Sequence, residues 1–338
     1  GSEMCIRDRF GEEIGMAWFL LGGHFSNGGP DNVNQALITS ADRKILYIKS
    51  NNKPVRVLET FWKILISEGV VVSGACAKRY YDFMKVFHKK FVYLMHGCMD
   101  FENEINRLHL SSDFIENERN LLRDAKCIVC VSEGYSEWVK SRYPEYAGKI
   151  TFVNNGVKLE QREKKEKEPF SVAVGGGNRC IKNNNAVSMA VKKMNSEGIP
   201  CKLYIFGRKY PGNEEIEETD YIQYCGHMDK TPYYERLDHI SCFVMNSEVE
   251  SFGLVAADAL NCNCSLLMSQ NVGARSIMKA EDCDIIQRPH DVDEIVEKLK
   301  YIFEHPNSNR LYESIDVQAC SERSSFQRLD AIVEGAIK

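Results

Sequence analysis

The sequence predicts an α/β protein of two doubly wound, Rossmann-like domains, each a parallel sheet covered by helices, with the carboxyl ends of both sheets facing an interdomain cleft. Three observations point to it. Short apolar runs alternate with helical stretches along most of the chain. A nearly all-charged segment, K-L-E-Q-R-E-K-K-E-K-E-P from Lys158 to Pro169, splits that alternation into two halves, each long enough for its own core. Each half also opens with an apolar strand, a glycine turn and a helix, once from Met16 to Ser40 and again from Ser171 to Glu197.

Taken in order, Met16 to Leu21 reads as the leading strand, Gly22 to Pro30 as the glycine turn and Asp31 to Ser40 as the first helix. Ile45 to Ile48, Val70 to Ser73, Phe91 to Leu94, Cys127 to Val131 and Ile150 to Val153 are the further strands of the first half. In the second half the strands are Ser171 to Val174, Lys202 to Phe206, Tyr221 to Tyr224, His239 to Met245, Ser265 to Met268 and Asp284 to Ile286. Its helices are Asn184 to Glu197, Thr231 to Arg236, Leu254 to Leu260, Val272 to Ala280 and Val292 to Glu304. The domains then run 16–157 and 170–321, joined by a charged linker at 158–169. Residues 1–15 lack periodicity and read as a leader outside the fold, with Met16 as the natural start.

Apolar residues make up 43% and charged residues 27% of the 338, net charge is −5, and no apolar run is long enough to span a membrane, so a soluble cytoplasmic protein is expected. No nucleic-acid partner is expected. The 13 cysteines are scattered through strand- and helix-like segments, which favours a reduced compartment over a disulfide framework. Cys127-Ile128-Val129-Cys130 sits in an apolar run and reads as packing rather than a redox pair. Charge is uneven: from Arg43 to Lys90, eleven Lys and Arg stand against three acids, with Phe61, Trp62, Ile64, Leu65 and Ile66 among them. That segment is either a solvated helix face or a peripheral contact with the anionic inner face of a membrane.

The most informative stretch is Asn246 to Leu260, N-S-E-V-E-S-F-G-L-V-A-A-D-A-L. Two carboxylates, Glu250 and Asp258, flank a glycine-containing corner between an apolar strand and an Ala-rich helix. Ser251, Phe252, Gly253 and Leu254 would present free N–H groups there, which suits a diphosphate. The bland alternative is a buried helix whose start is dressed with acids.

Followed by Asn261 to Ser269 and then Asn271-Val272-Gly273-Ala274, this stretch resembles the donor-nucleotide segment of the retaining GT-B glycosyltransferases of family 4 (glycosyl transferases group 1), where Glu-x-Phe-Gly-x-x-x-x-Glu-Ala precedes a strand and a glycine loop. Asp258 stands where that family has its second Glu. Val172 to Lys182 is similar to the family's strand, glycine turn and basic pair that clamp the donor diphosphate: Lys182 falls on the Lys, Gly177 on the Arg, and Arg179 lies two residues later. The resemblance implies that Glu250 bonds donor-sugar hydroxyls, that Asp258 accepts from the ribose diol, and that the amides of residues 251–254 hold phosphate oxygens. It further implies that Gly207 and Gly226 end strands beside the nucleotide, that Gly28 and Gly29 form the early glycine turn, and that His96 lies near the sugar. In this family the last helix, here about 322–338 and amphipathic through Phe326, Leu329, Ile332, Val333 and Ile337, crosses back to complete the first domain.

The expected function is therefore metal-independent hexosyl transfer with retention, from a nucleotide-diphosphate sugar to a glycan or lipid-linked acceptor hydroxyl, in bacterial surface polysaccharide or glycoconjugate synthesis. No cofactor beyond the donor is expected. The Asp-x-Asp strings at Asp282 and Asp291 read as a loop and a helix cap rather than metal ligands. The alternatives are a non-catalytic glycosyltransferase-like helper, suggested by Asp258 and the displaced Arg179, and a sugar-nucleotide epimerase of the same architecture. A nicotinamide dehydrogenase is disfavoured, since neither half shows G-x-G-x-x-G with an acid about 20 residues on.

Overall fold

The computed structural model describes residues 17–26 and 28–338; the expected leader, Met16 and Asn27 lie outside them. Six strands make the first sheet: β1 (Phe19–Leu21), β2 (Leu46–Tyr47), β3 (Val70–Ser73), β4 (Phe91–Met95), β5 (Cys127–Cys130) and β6 (Ile150–Phe152). They pair in parallel in the order β2-β1-β3-β4-β5-β6. Helices α1 (Gly29–Thr39), α2 (Lys53–Ile66), α3 (Lys78–Val86), α4 (Met99–Ile105), α5 (Ser112–Asp124) and α6 (Glu133–Arg142) connect them. The central strands are continuous runs such as Val70-Val71-Val72 and Phe91 to Met95, buried on both faces, as a parallel sheet demands.

The second sheet contains β7 (Glu168–Gly175), β8 (Lys202–Phe206), β9 (Ile222–Gly226), β10 (Ile240–Met245), β11 (Ser265–Ser269) and β12 (Ile285–Ile286), also parallel, in the order β12-β11-β10-β7-β8-β9. Its helices are α7 (Asn184–Ser196), α8 (Lys230–Leu237), α9 (Val255–Asn261), α10 (Val292–Glu304) and α11 (Ser308–Glu313). Strand order reverses between β1 and β3 in one sheet and between β7 and β10 in the other. At such a switch point the flanking loops part to opposite faces and leave a crevice at the strand carboxyl ends.

The last helix, α12 (Glu322–Ile337), packs on α1 and β4. Phe326 stacks on Trp18, whose indole N–H donates to Asp330 at 2.7 Å. The returning chain passes so close to Gly156 that a Cβ there would overlap the backbone of Glu322.

Two expectations need correction. Val272 to Ala280 is not an α-helix; only a 3₁₀ turn, Gly273–Ile277, forms, because the chain is held at Val272 by a parallel bridge to Glu250. The charged segment at 158–169 is not a free linker either. Its last two residues belong to β7, and Arg162 grips the buried Asp238 at 2.7 Å while Asn261 bonds the backbone of Lys158 and Glu160. Apart from Leu159, which packs partly buried against the core, it lies on the second domain through polar groups.

Candidate active site

Both switch points open on one cavity of about 540 Å³ between the sheets. From the first sheet come the turn after β1, Ser73 and Gly74 at the end of β3, and His96 after β4; from the second come Gly175, Gly176, Arg179, Ile181 and Lys182 at the end of β7 and the segment from Glu250 to Val255 after β10.

Glu250 and Lys182 meet at its floor. The ammonium of Lys182 donates to Glu250 Oε2, which also accepts from the Ser247 hydroxyl at 3.2 Å. Burial pushes the Glu250 carboxyl up, but the adjacent Lys182, then Arg179 and Ser247, outweigh it and hold the group below the usual carboxylate range. Glu250 is locked by its backbone as well, its N–H donating to Asn271 and its carbonyl accepting from Gly273. Beyond it the chain turns at Gly253 (φ +94°), where a Cβ would overlap Met245. Among the described residues the N–H groups of Ser251, Phe252, Gly253 and Leu254 find no acceptor, while the cavity runs along all four. The Phe252 ring itself is buried in the core, so only its backbone is available to a ligand.

Opposite this corner, the glycine turn after β7 is built from backbone contacts. Gly177 (φ +63°) donates to Phe206 at 2.9 Å, and Asn184 at the start of α7 bonds the carbonyls of Gly175 and Gly177. Arg179 reaches the cavity with its guanidinium near the Tyr210 ring and has no acidic partner among the described residues.

Several expected residues do not reach the cavity. Gly177 and Gly207 (φ +115°) lie behind the turn as close-packed backbone, where they let strand and loop approach, while Gly226 (φ +72°) ends β9 with open space around its Cα. Gly28 only caps α1, and Gly29 lines the cavity with open space around its Cα. The crowded glycines of that turn are Gly22 and Gly23, where a Cβ would press on Asn34 and Asp31. Asp258 also lies off the cavity: its carboxylate accepts from the Tyr234 hydroxyl at 2.7 Å, and burial raises its pKa despite that bond.

His96 lines the cavity within a polar chain. Asn34 Nδ2 donates to the Gly23 carbonyl at 2.7 Å, so its Oδ1 faces Ser73, and the Ser73 hydroxyl must donate to it at 2.5 Å. His96 Nε2 lies 2.7 Å from Ser73 Oγ and must then be the protonated nitrogen, leaving Nδ1 as an acceptor with no partner among the described residues. Burial pulls the imidazole down to about 4, against a weaker upward pull from Asp31, so the ring is neutral at neutral pH. Because the folded pKa lies below the ordinary 6.5, stability is full above about pH 6.5 and falls as pH drops toward 4. His96→Asn is expected to remove roughly 2 kcal/mol of the stability difference between about pH 7.5 and about pH 5, measured by urea unfolding at both.

Four residues escaped the sequence reading. Glu102 of α4 lines the cavity with no hydrogen bond or ion pair to its carboxyl among the described residues. Burial raises its pKa, Arg179 and Lys182 pull the other way, and Glu250 adds to the rise. Asn34 and Ser73 set the His96 tautomer. Ser132, the N-cap of α6, donates to the Ser251 carbonyl at 2.5 Å and pins the corner to the first domain. A hint of Glu102 was present in its position, six residues after His96 in a helix led by Asp100 and Glu102.

Among the described residues, no three His, Cys, Asp or Glu side chains converge as a metal site. Asp284 is taken up by Asn307 and Arg310, and Asp291 caps α10. The twelve described cysteines are free, Cys127 and Cys130 standing in β5.

No curated protein matches the chain. Residues 157–316 match the family model described as Glycosyl transferases group 1. Among solved structures, the chain is similar to Anabaena HepE in complex with UDP and glucose (TM-score 0.66, 11% identity, covering 95% of this chain and 100% of that one). It is also similar to a sucrose-phosphate synthase from Thermosynechococcus elongatus (TM-score 0.66, 15% identity, 94% and 98%). A third is the pneumococcal O-GlcNAc transferase GtfA in complex with UDP and GlcNAc (TM-score 0.59, 12% identity, 85% and 60%). The chain thus has the GT-B fold, and residues 157–316 in its second half are similar to the glycosyl transferases group 1 family.

Proposed function

We propose that this protein is a retaining, metal-independent glycosyltransferase that moves a sugar from a nucleotide-diphosphate donor to an acceptor hydroxyl. The observation that carries it is the Lys182–Glu250 pair set beside the unpaired amides of residues 251–254 at the second sheet's switch point. That the similar HepE and GtfA structures hold UDP with a sugar supports the same reading.

In this scheme the donor diphosphate lies along the amides, with Lys182 and Arg179 beside it. As the glycosidic bond to phosphate breaks, negative charge grows on the leaving diphosphate, and fixed cations and N–H groups stabilise it without reorganising. Lys182 then exchanges part of its contact with Glu250 for phosphate, freeing Glu250 to accept from the donor sugar's hydroxyls. Neutral His96 offers Nδ1 as an acceptor to a sugar hydroxyl from the first domain's side. The acceptor hydroxyl attacks on the face the diphosphate leaves and passes its proton to the departing phosphate oxygen.

Glu102 approaches from the first domain and positions the acceptor hydroxyl. Glu102→Gln is expected to lower kcat about tenfold or more. Nucleoside diphosphate binding should not weaken, because a carboxylate near the diphosphate is lost; steady-state kinetics and calorimetry together check both parts.

A second reading, a non-catalytic helper, is favoured by one observation: Asp258 is engaged by Tyr234 and stands off the cavity. Assaying transfer and donor hydrolysis with UDP-, GDP- and ADP-sugars separates the two. Turnover of any donor supports the enzyme; nucleotide binding without turnover supports the helper, and neither binding nor turnover overturns both.

A further inference from the structure

Helix α2 buries Thr60, Lys63 and Ile64 against the first sheet, and on its opposite side exposes Val55, Leu58, Trp62, Leu65 and Ile66. Spaced three and four apart, these form one stripe three turns long. Leu58 is 71% and Trp62 61% exposed, far more than a packed helix leaves to such residues. The stripe continues onto the end of α3, where Val86 is 70% exposed and Phe87 stands beside it. Ring contacts from Phe61 to Phe83 and from Phe83 to Phe87, both at 4.6 Å, join the two helices, and Lys89 bonds the carbonyl of Leu65 across the seam. Around the apolar patch stand the exposed cations Lys53, Lys78, Arg79 and Lys85, with Asp82 and Glu68 as the nearby exposed acids.

We infer that the outer face of α2 and α3 is a docking surface for an anionic lipid bilayer, with Leu58 and Trp62 entering the interface and the surrounding lysines and arginines meeting lipid phosphates. The charge decides the occupant. Lys53, Lys78, Arg79 and Lys85 stand exposed on this face against Asp82 and Glu68, in a chain of net charge −5. A second copy would bring two cationic faces together, whereas an anionic bilayer offers both an apolar interior and counter-charge. In a parallel sheet the connecting helices begin at the strands' carboxyl ends, so α2 and α3 start beside the cleft. The stripe runs from Val55 at that end to Ile66, Val86 and Phe87 at the far ends of the helices, so the membrane meets the side of the first domain. The docking surface stands independently of the glycosyl-transfer reading.

The test is flotation of the whole chain with vesicles of phosphatidylcholine alone and of an equal mixture with phosphatidylglycerol. Binding is expected to the anionic vesicles, weakening as salt is raised. The doubly substituted Leu58→Ser/Trp62→Ser protein should bind about tenfold or more weakly, with an unchanged unfolding midpoint, while Trp62→Phe should keep most of the binding. Lys78→Glu/Lys85→Glu should weaken binding to anionic vesicles alone. No binding to anionic vesicles, or equal binding by the Leu58/Trp62 variant, would overturn the inference. So would a concentration-dependent dimer dispersed by those substitutions, which would assign the face to a second copy.

Discussion

Lys182→Ala is expected to lower kcat/KM for glycosyl transfer by about a thousandfold, the scale seen when a preorganised charge aimed at a developing anion is removed. Two effects combine. The diphosphate loses its nearest fixed cation in the second domain, so charge growing on the leaving group is met by Arg179 and amides alone. Glu250 also loses the partner that holds it ionised; burial then drives its carboxyl upward, and it presents a proton where the donor sugar needs an acceptor. Kinetics over a pH range checks this: activity of the variant should recover partially as pH rises and Glu250 ionises again. The unfolding midpoint of the variant should fall as pH rises, since Glu250 must then ionise in its buried place without its cation.

Gly177→Ala is expected to be the most damaging single-atom change near the site. A Cβ would overlap the Arg208 carbonyl oxygen, and φ of +63° is a conformation that only glycine adopts freely. Backbone on both sides is fixed, by the Gly177 to Phe206 bond and by Asn184, so neither strand nor loop can yield cheaply. The cost should be about 3 kcal/mol or more, with the Arg179–Lys182 segment displaced and nucleotide affinity lost in proportion. Gly134→Ala, in helix α6 with open space around its Cα, is the contrast and should be neutral or stabilising by about 0.5 kcal/mol. Urea unfolding of both variants makes the comparison.

How far the sequence reveals this molecule depends on whether a feature is local. Helix α10 is read to the residue, Val292–Glu304, because Asp291 caps it and Ile295, Val296, Leu299 and Ile302 keep helical spacing. Strands β3 and β8 are read equally well, being short buried runs between clear breaks. Val272 to Ala280 shows where local spacing misleads: it looks helical, but Gly273 is wedged between Ser132 of the first domain and Ser251 of the corner before α9, contacts distant in sequence. Glu250 and Lys182 are legible because each sits in a motif within its own strand-turn segment. Their pairing, 68 residues apart in sequence, is a product of the fold. Glu102, hinted at only by its place six residues after His96, and the Tyr234 hydroxyl on Asp258 reach their places through tertiary structure. The glycine turn after β1 shows the same limit: composition marks a turn, yet which glycine is crowded depends on Asn34 and Asp31 from the next helix. The exposed stripe of α2 is apolar in sequence, but only the packing of Thr60 and Ile64 on the opposite side shows that it faces outward.

The central claim is that a nucleoside diphosphate docks between Lys182 and the amides of residues 251–254. Titrating UDP, GDP and ADP into the wild-type and Lys182→Ala proteins by calorimetry tests it most directly. At least one nucleotide should bind the wild type with micromolar affinity and bind the variant about tenfold or more weakly. Equal affinity in the two proteins, or no binding of any of the three to the wild type, would contradict it.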